Sequence, residues 1–472
     1  MNNIMTTVFL DQNWQEIPAQ RSISADTFSQ GLIRFSFNVS GLNSISLKDS
    51  YFLIKSSLTN GDGTVNAKAN RTTYAHNWTS ALFTNASFLI SGKEISKCNQ
   101  YNHLAHTLKM RQMIDDGELK TNYRDMMDYD PDFTRRLNRH VFDGEREDNL
   151  EELSNDGNST IRAGDKARYT MYRPVHLGVF SIDHGHLCGD MAIVLNPNPN
   201  FLTACVESAF LDGKDGDANR KYVGAKPGVG AAVPDVSPAD YKFQIHEIKF
   251  MACMAKVTQP IDSVKTFTIR EISVQNKTYA EQLEFQVLPS TEQITVFIQD
   301  QQAGANTVVP STSFKVRQYA STAEQADANW VSTYGKQFTA DEQGAVQVTL
   351  GATTKPSIMM RPQKNMPGEQ FQLFRWAMSH QYLEVNKYNN KRIWERFTDW
   401  ASSPYFAFDF MRDSSDTSGF VTIISNYELS NYTTGTWPGN VIPNLFCVSK
   451  YTSQIRISYN SGYVTEVQMQ NT

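Results

Sequence analysis

The residues best suited to chemistry stand in Asp183-His184-Gly185-His186-Leu187-Cys188, where three kinds of metal-ligating side chain crowd into one short segment. Zinc needs three or four converging ligands, and no CxxC or HxxxH pair lies elsewhere at a matching spacing. The segment therefore reads as a turn between strands. His103 and His106 fall on neighbouring positions of one helix face, but without the glutamate of an HExxH motif they read as part of a solvated face. His246-Glu247 opens that motif, yet Phe250 stands where the second histidine belongs and the local period is that of a strand. Asp128, Asp130 and Asp132 begin like a calcium loop, but Phe133 and Arg139 replace the turn glycine and the closing glutamate. Asp212, Asp215 and Asp217 read as an exposed acidic turn, and Gly224, Gly228 and Gly230 around Lys226 lack the GK[ST] and the helix of a phosphate loop. There is no GxSxG elbow. The expectation is a chain with no catalytic residue, no metal and no cofactor.

The richest aromatic stretch holds Trp376, Trp394 and Trp400 among Phe371, Phe374, Tyr382, Phe397, Tyr405 and Phe406, interleaved with Arg375, Arg392 and Arg396. Such a group fills a core or an oligomer interface. The alternative reading is a platform for a sugar or a single nucleic-acid strand, which makes a carbohydrate-binding or glycan-cleaving β-sandwich the competing class.

These side chains have to be positioned by strands. Ile33, Phe35, Phe37 and Val39 alternate with polar residues, the period of a sheet buried on one face. Further strands are read at Tyr51–Leu58, Leu82–Ile90, Val175–Ile182, Met191–Leu195 and Tyr241–Val257. Gly92 supplies a hairpin turn that returns through Ile95. Tyr101, Leu104, Leu108 and Arg111 sit at helical spacing and predict one amphipathic helix on the rim of the sheets. Polar stretches at 118–165 and 212–234 read as exposed insertions, and 351–370 as a further loop. After Gln259-Pro260 the strand pattern restarts at Val264–Val274 and runs through Phe314–Tyr319, Ala345–Leu350, Tyr405–Phe410, Phe420–Ser425 and the closing hairpin Ile455–Tyr459 and Tyr463–Val467. The expected organisation is an arm at 1–30 and two β-sandwiches at 31–257 and 258–472, without visible internal repetition.

A length of 472 residues suits two cores, and 40% hydrophobic with 20% charged residues is ordinary globular composition. A net charge of -5, with no basic arm in the first thirty residues, argues against a chain that grips nucleic acid. Five cysteines at wide spacings suit reduced thiols. Neither a secretory leader nor a membrane-spanning helix is expected.

Several segments, in order, resemble the double jelly-roll major capsid proteins of Polintons, adintoviruses and virophage-like small eukaryotic DNA viruses, distant relatives of adenovirus hexon. Tyr51-Phe52-Leu53-Ile54-Lys55-Ser56-Ser57-Leu58-Thr59-Asn60 is similar to the family's early strand, and Leu82 through Lys93 to its LFSxVxVxLNG hairpin. Lys265-Thr266-Phe267-Thr268-Ile269 resembles the strand opening the second roll, and Tyr405-Phe406-Ala407-Phe408-Asp409-Phe410 a late YAFDL strand. The family's Tyr-Pro-Tyr segment is replaced by Asn99-Gln100-Tyr101-Asn102. The resemblance implies an all-β fold of two consecutive jelly rolls with long loop insertions and one short rim helix. It also implies a non-enzymatic virion subunit that trimerises into pseudo-hexameric capsomers and tiles an icosahedral shell. Its partners would be copies of itself and minor capsid and vertex proteins, around nucleic acid enclosed without strong binding, with assembly in the host nucleus or cytoplasm. A minor or vertex virion protein is the nearest alternative.

Overall fold

The computed structural model describes residues 9–63, 72–113, 127, 129, 167–182, 187–208, 210–212, 221–223, 241–300, 314, 343–361, 366–379, 397, 400, 403–410, 419–427 and 443–471. Its first strands are β1 (Phe9–Pro18), β2 (Ile33–Val39), β3 (Asn43–Asn60), β4 (Thr72–Tyr74), β5 (Phe83–Ile90), β6 (Lys93–Cys98), β7 (Arg168–Tyr172), β8 (Gly189–Pro197), β9 (Val206–Ser208), β10 (Phe210–Asp212), β11 (Lys221–Val223) and β12 (Tyr241–Val257). The second series is β13 (Val264–Thr278), β14 (Gln282–Gln286), β15 (Thr291–Asp300), β16 (Gln343–Leu350), β17 (Thr353–Met360), β18 (Phe406–Asp409), β19 (Phe420–Tyr427), β20 (Pro443–Asn460) and β21 (Tyr463–Asn471). Helices are α1 (Trp78–Ala81), α2 (Asn102–Met113), α3 (Phe201–Ala204) and α4 (Pro367–Ser379), with a 3-10 turn at Gly178–Ser181.

The pairing repeats. Taking β1, β2, β3, β5, β6, β7, β8 and β12 as first to eighth, the two sheets run first-eighth-third-sixth (β1-β12-β3-β7) and second-seventh-fourth-fifth (β2-β8-β5-β6). The run β13 to β20 gives the same permutation, β13-β20-β15-β18 and β14-β19-β16-β17, again antiparallel throughout. This is the jelly roll, twice in one chain. Among the described residues no strand of the first set pairs with one of the second.

Alternation explains each roll. In β2, Ile33, Phe35 and Val39 are buried between exposed neighbours. Phe35 meets Phe52 of the facing sheet at 5.2 Å, and Phe52 meets Phe250 at 4.9 Å. The hairpins turn where the sequence predicts: Ser91-Gly92 and Ser461-Gly462 both take positive φ at two successive residues, matching the twist of the flanking strands.

Four segments differ from expectation. Within the stretch read as an arm, β1 pairs with Lys249–Val257 of β12 and forms the edge of a sheet; its run of exposed residues at 13–16 hides the strand period. Val175–Ile182, read as a strand, holds the 3-10 turn, with Gly178 pressed against β13. The stretch 351–370, read as a loop, contains β17 and the start of α4. Pro356 disguises β17, although proline is tolerated on an edge strand that pairs on one side only. The rim helix therefore has a companion, α4, which packs against β18 and is one residue longer than α2. Most of 118–165 and 212–234, and of Phe314–Tyr319, lies outside the described residues; Tyr129, within the first of these, is buried against Met110 and Val175.

Candidate functional site: the seam between the rolls

Two rolls in one chain work as a unit only if something fixes their mutual position. The apolar core is continuous across them, and the contact region is centred on α2, β13 and β21. Three glycines set the approach. A side chain on Gly178 would lie 2.8 Å from the Arg270 carbonyl oxygen and 2.9 Å from Glu271 Oε1. On Gly189 it would meet Val464 Cγ2 at 2.6 Å, and on Gly462 the Gly41 carbonyl oxygen at 2.7 Å. The last pair joins the turn after β2 to the turn before β21, backbone against backbone.

Directed contacts complete the seam. Lys93 Nζ donates to the Val467 carbonyl at 2.6 Å, and Tyr101 Oη to Asn276 Oδ1 at 2.9 Å. The Tyr101 ring stands edge-on to Phe446 at 5.3 Å. The Arg111 guanidinium lies over the rings of Phe314 and Tyr405, at 5.1 and 4.7 Å. Lys450 Nζ donates to Gln112 Oε1. Tyr101, which opens α2, has φ 55°, a left-handed conformation unusual for an aromatic residue.

The helix that this places between the rolls is buried along most of its length, with His103 and Arg111 half-buried. His106, Thr107, Lys109 and Gln112 are as enclosed as Leu104 and Leu108. The solvated-face reading therefore fails: His106 is fully enclosed and His103 half-buried, because the helix is wedged between two sheets. His106 donates from Nε2 to the Arg173 carbonyl at 2.8 Å and accepts at Nδ1 from Asn77 Nδ2 at 3.0 Å, which fixes the neutral tautomer. Burial pushes both His103 and His106 down to about 4, and it also holds His176, edge-on to His106 at 5.4 Å, well below the ordinary histidine value. On β13, burial drives the Glu271 carboxyl up to about 8 despite the Ser96 hydroxyl and the backbone N–H groups of Gly178 and Lys97 beside it.

The aromatic group reads differently in three dimensions. Trp400 is fully buried, donates to the Tyr405 carbonyl at 2.8 Å, and is enclosed by Phe374, Phe397 and Phe406 at centroid distances of 5.6, 5.9 and 5.8 Å. Trp376 is half-buried on α4, edge-on to Phe408 at 6.1 Å. Trp394, Arg392 and Arg396 lie outside the described residues, as do 183–186 of the metal-like segment, Asp128, Asp130, Asp132 and Gly224 to Gly230. Phe371 and Phe397 are the exposed members, 50% and 36%. Among the described residues no group of three or more His, Cys, Asp or Glu could hold a metal ion, and no helix is long and apolar enough to cross a membrane. His246 bonds Ser57 Oγ at 2.8 Å across β12 and β3, a cross-strand contact.

Sequence reasoning missed Glu271, Lys109, His176 and Lys450. The available signal was a glutamate on β13 two residues from the buried Ile269 and next to the buried Ile272.

No protein-family model matches the sequence, and no curated protein matches it. Among solved structures, a chain of the Sputnik virophage cryo-EM structure is similar at a TM-score of 0.53 and 10% identity, over 100% of this chain and 91% of that one. The mavirus major capsid protein has a TM-score of 0.49 at 10% identity, over 100% of this chain and 93% of that one. The Faustovirus major capsid protein follows at 0.47 and 10%, over 96% and 92%. At this identity the Sputnik likeness speaks to the fold, and it agrees with the strand order: the chain is a double jelly roll.

Proposed function

We propose that this chain is the major capsid protein of an icosahedral DNA virus, with no enzymatic role, located in the virion. The observation that carries the reading is the same eight-strand permutation occurring twice in one chain, along a fold similar over its whole length to a chain of the Sputnik virophage particle. Two like rolls held rigidly side by side give each subunit two of six roughly equivalent corners, so three copies close a pseudo-hexagonal capsomer. We divide the chain at the 258–263 linker, with β1 belonging to the first roll.

In this reading the exposed apolar side chains near α4, among them Phe371 and Phe397, contact a neighbouring copy, whereas Trp400 supports them from the core. Minor capsid and vertex proteins occupy other faces. A net charge of -5 suits a wall that encloses nucleic acid without binding it strongly.

The test is assembly state. Light scattering on the purified protein is expected to give three times the 53.4 kDa of one chain, and negative-stain images a pseudo-hexagonal outline. A monomer, a pentamer, or particles without that outline would overturn the reading.

A further inference from the structure

The seam has a direction. The first roll offers it β6, α2 and the start of β8, and the second receives them on β13, β20 and β21. Because the two rolls share one strand permutation, these elements have counterparts in the other roll. β6 and β17 are the fifth strands, β8 and β19 the seventh, and α4 follows β17 as α2 follows β6. On the receiving side, β13 and β20 correspond to β1 and β12.

The counterparts expose what the seam hides. Ile95, Ser96 and Cys98 of β6 are buried, as is most of α2, whereas β17 exposes Ile358 at 80% with Met359 beside it, and α4 exposes Phe371 at 50%. β8 enters the seam at its first residue, Gly189; the first residue of β19 is Phe420, 64% exposed. Among the described residues of β13 to β20, Ile358, Phe371 and Phe420 are the large apolar side chains at least half exposed, and all three stand on counterparts of seam elements. The receiving strands show the same contrast. β13 is buried at Ile269, Glu271 and Ile272, whereas its counterpart β1, an edge strand, is exposed at all four residues from 13 to 16, Trp14 at 53%. Apolar side chains placed this way mark a protein contact, and this chain displays both of its halves.

We infer that the seam is repeated between chains: β17, α4 and the start of β19 of one copy seat on β1 and β12 of the next, as β6, α2 and β8 seat on the second roll within a chain. The contact is head to tail, with Ile358 and Phe371 on one side and Trp14 on the other. Such a heterologous contact closes into a ring when its rotation allows. The inference rests on the three-copy reading above and specifies which faces meet.

Cross-linking of the full chain tests this. Glu16→Cys, on the face of β1 that carries Trp14, and Ser357→Cys, beside Ile358, change exposed positions, and the five native cysteines are buried, so a short bismaleimide reads the introduced pair. The double variant is expected to give covalent dimers and trimers on a denaturing gel, and either single variant none. Ile358→Glu combined with Phe371→Glu is expected to lower the mass in light scattering from three times 53.4 kDa to that of one chain, with the β-sheet circular dichroism kept, since both side chains are exposed. If that variant does not fold, the cross-linking decides. A wild-type trimer whose double cysteine variant stays a single chain on the gel, whose single variants link to themselves, or whose mass survives the folded glutamate variant overturns the inference and leaves the three-copy reading standing. A wild-type monomer overturns both.

Discussion

Glu271→Gln is expected to stabilise the protein in alkali and not in acid. Glu271 is 3% exposed on β13, with its carboxyl pushed up to about 8 by burial from an ordinary 4.5. The unfolded chain releases this proton above about 4.5, whereas the folded chain keeps it up to about 8. Between those values the unfolded state binds fewer protons than the native one, so stability falls as pH rises and levels off above about 8. At about 1.4 kcal/mol per pH unit, the loss accumulated by pH 8.5 is roughly 3 to 5 kcal/mol. Glutamine keeps the shape and lacks this term, and its enclosed amide costs about 1 kcal/mol at every pH. The variant should therefore be equal or slightly weaker at pH 5 and stronger by roughly 2 to 4 kcal/mol at pH 8.5, a rise of roughly 2 to 4 °C in melting temperature for a chain of this size. Paired thermal melts from pH 5 to 9 check this, and the histidine contributions cancel in the difference. Parallel curves for the two proteins, or a larger deficit of the variant at pH 8.5 than at pH 5, would refute the assignment of a buried, protonated carboxyl.

Gly178→Ala places a methyl 2.8 Å from the Arg270 carbonyl oxygen and is expected to cost about 1 to 3 kcal/mol in urea unfolding, by overpacking alone, since its φ is ordinary. Gly462→Ala adds left-handed strain at φ 81° to a 2.7 Å clash with Gly41, and should cost more than the same change at Gly63, where φ is 83° and no atom of the described residues lies within 4 Å. Trp400→Ala should lose about 3 to 5 kcal/mol, and Trp376→Ala clearly less, because the first ring is fully buried and the second half-buried. All five cysteines are free and buried, with burial holding Cys98 up to about 12 and Cys188 up to about 11. A disulfide-exchange reagent at pH 8 should thus titrate almost no thiol in the native protein and five after denaturation.

Where one face of a strand is dry and the other wet, the element was legible. Ile33, Phe35 and Val39 announce β2, and Asn460-Ser461-Gly462 announces the turn between β20 and β21. Where that contrast fails, so does reading by period. β1 is masked by its exposed run at 13–16, β17 by Pro356, and α2, buried along most of its length, showed a histidine pair that looked solvated. The aromatic group around Trp400 was visible as composition, but its enclosure by Phe374, Phe397 and Phe406 was not.

By itself the sequence determined that the chain is two successive units of short strands with tight glycine turns and no spaced set of catalytic or metal-binding residues, because residue periodicity records which face of each element leaves water. Only the tertiary structure decided what each face is buried against. The pairing of β1 with β12, some 230 residues away, the identical permutation in both rolls, and the meeting of Gly41 with Gly462 are long-range choices that no local pattern encodes. The same holds for the seam's chemistry. Glu271 and His106 are ordinary residues in the sequence, and their altered proton affinities arise from closing two rolls around them and excluding the water that would hold their charge.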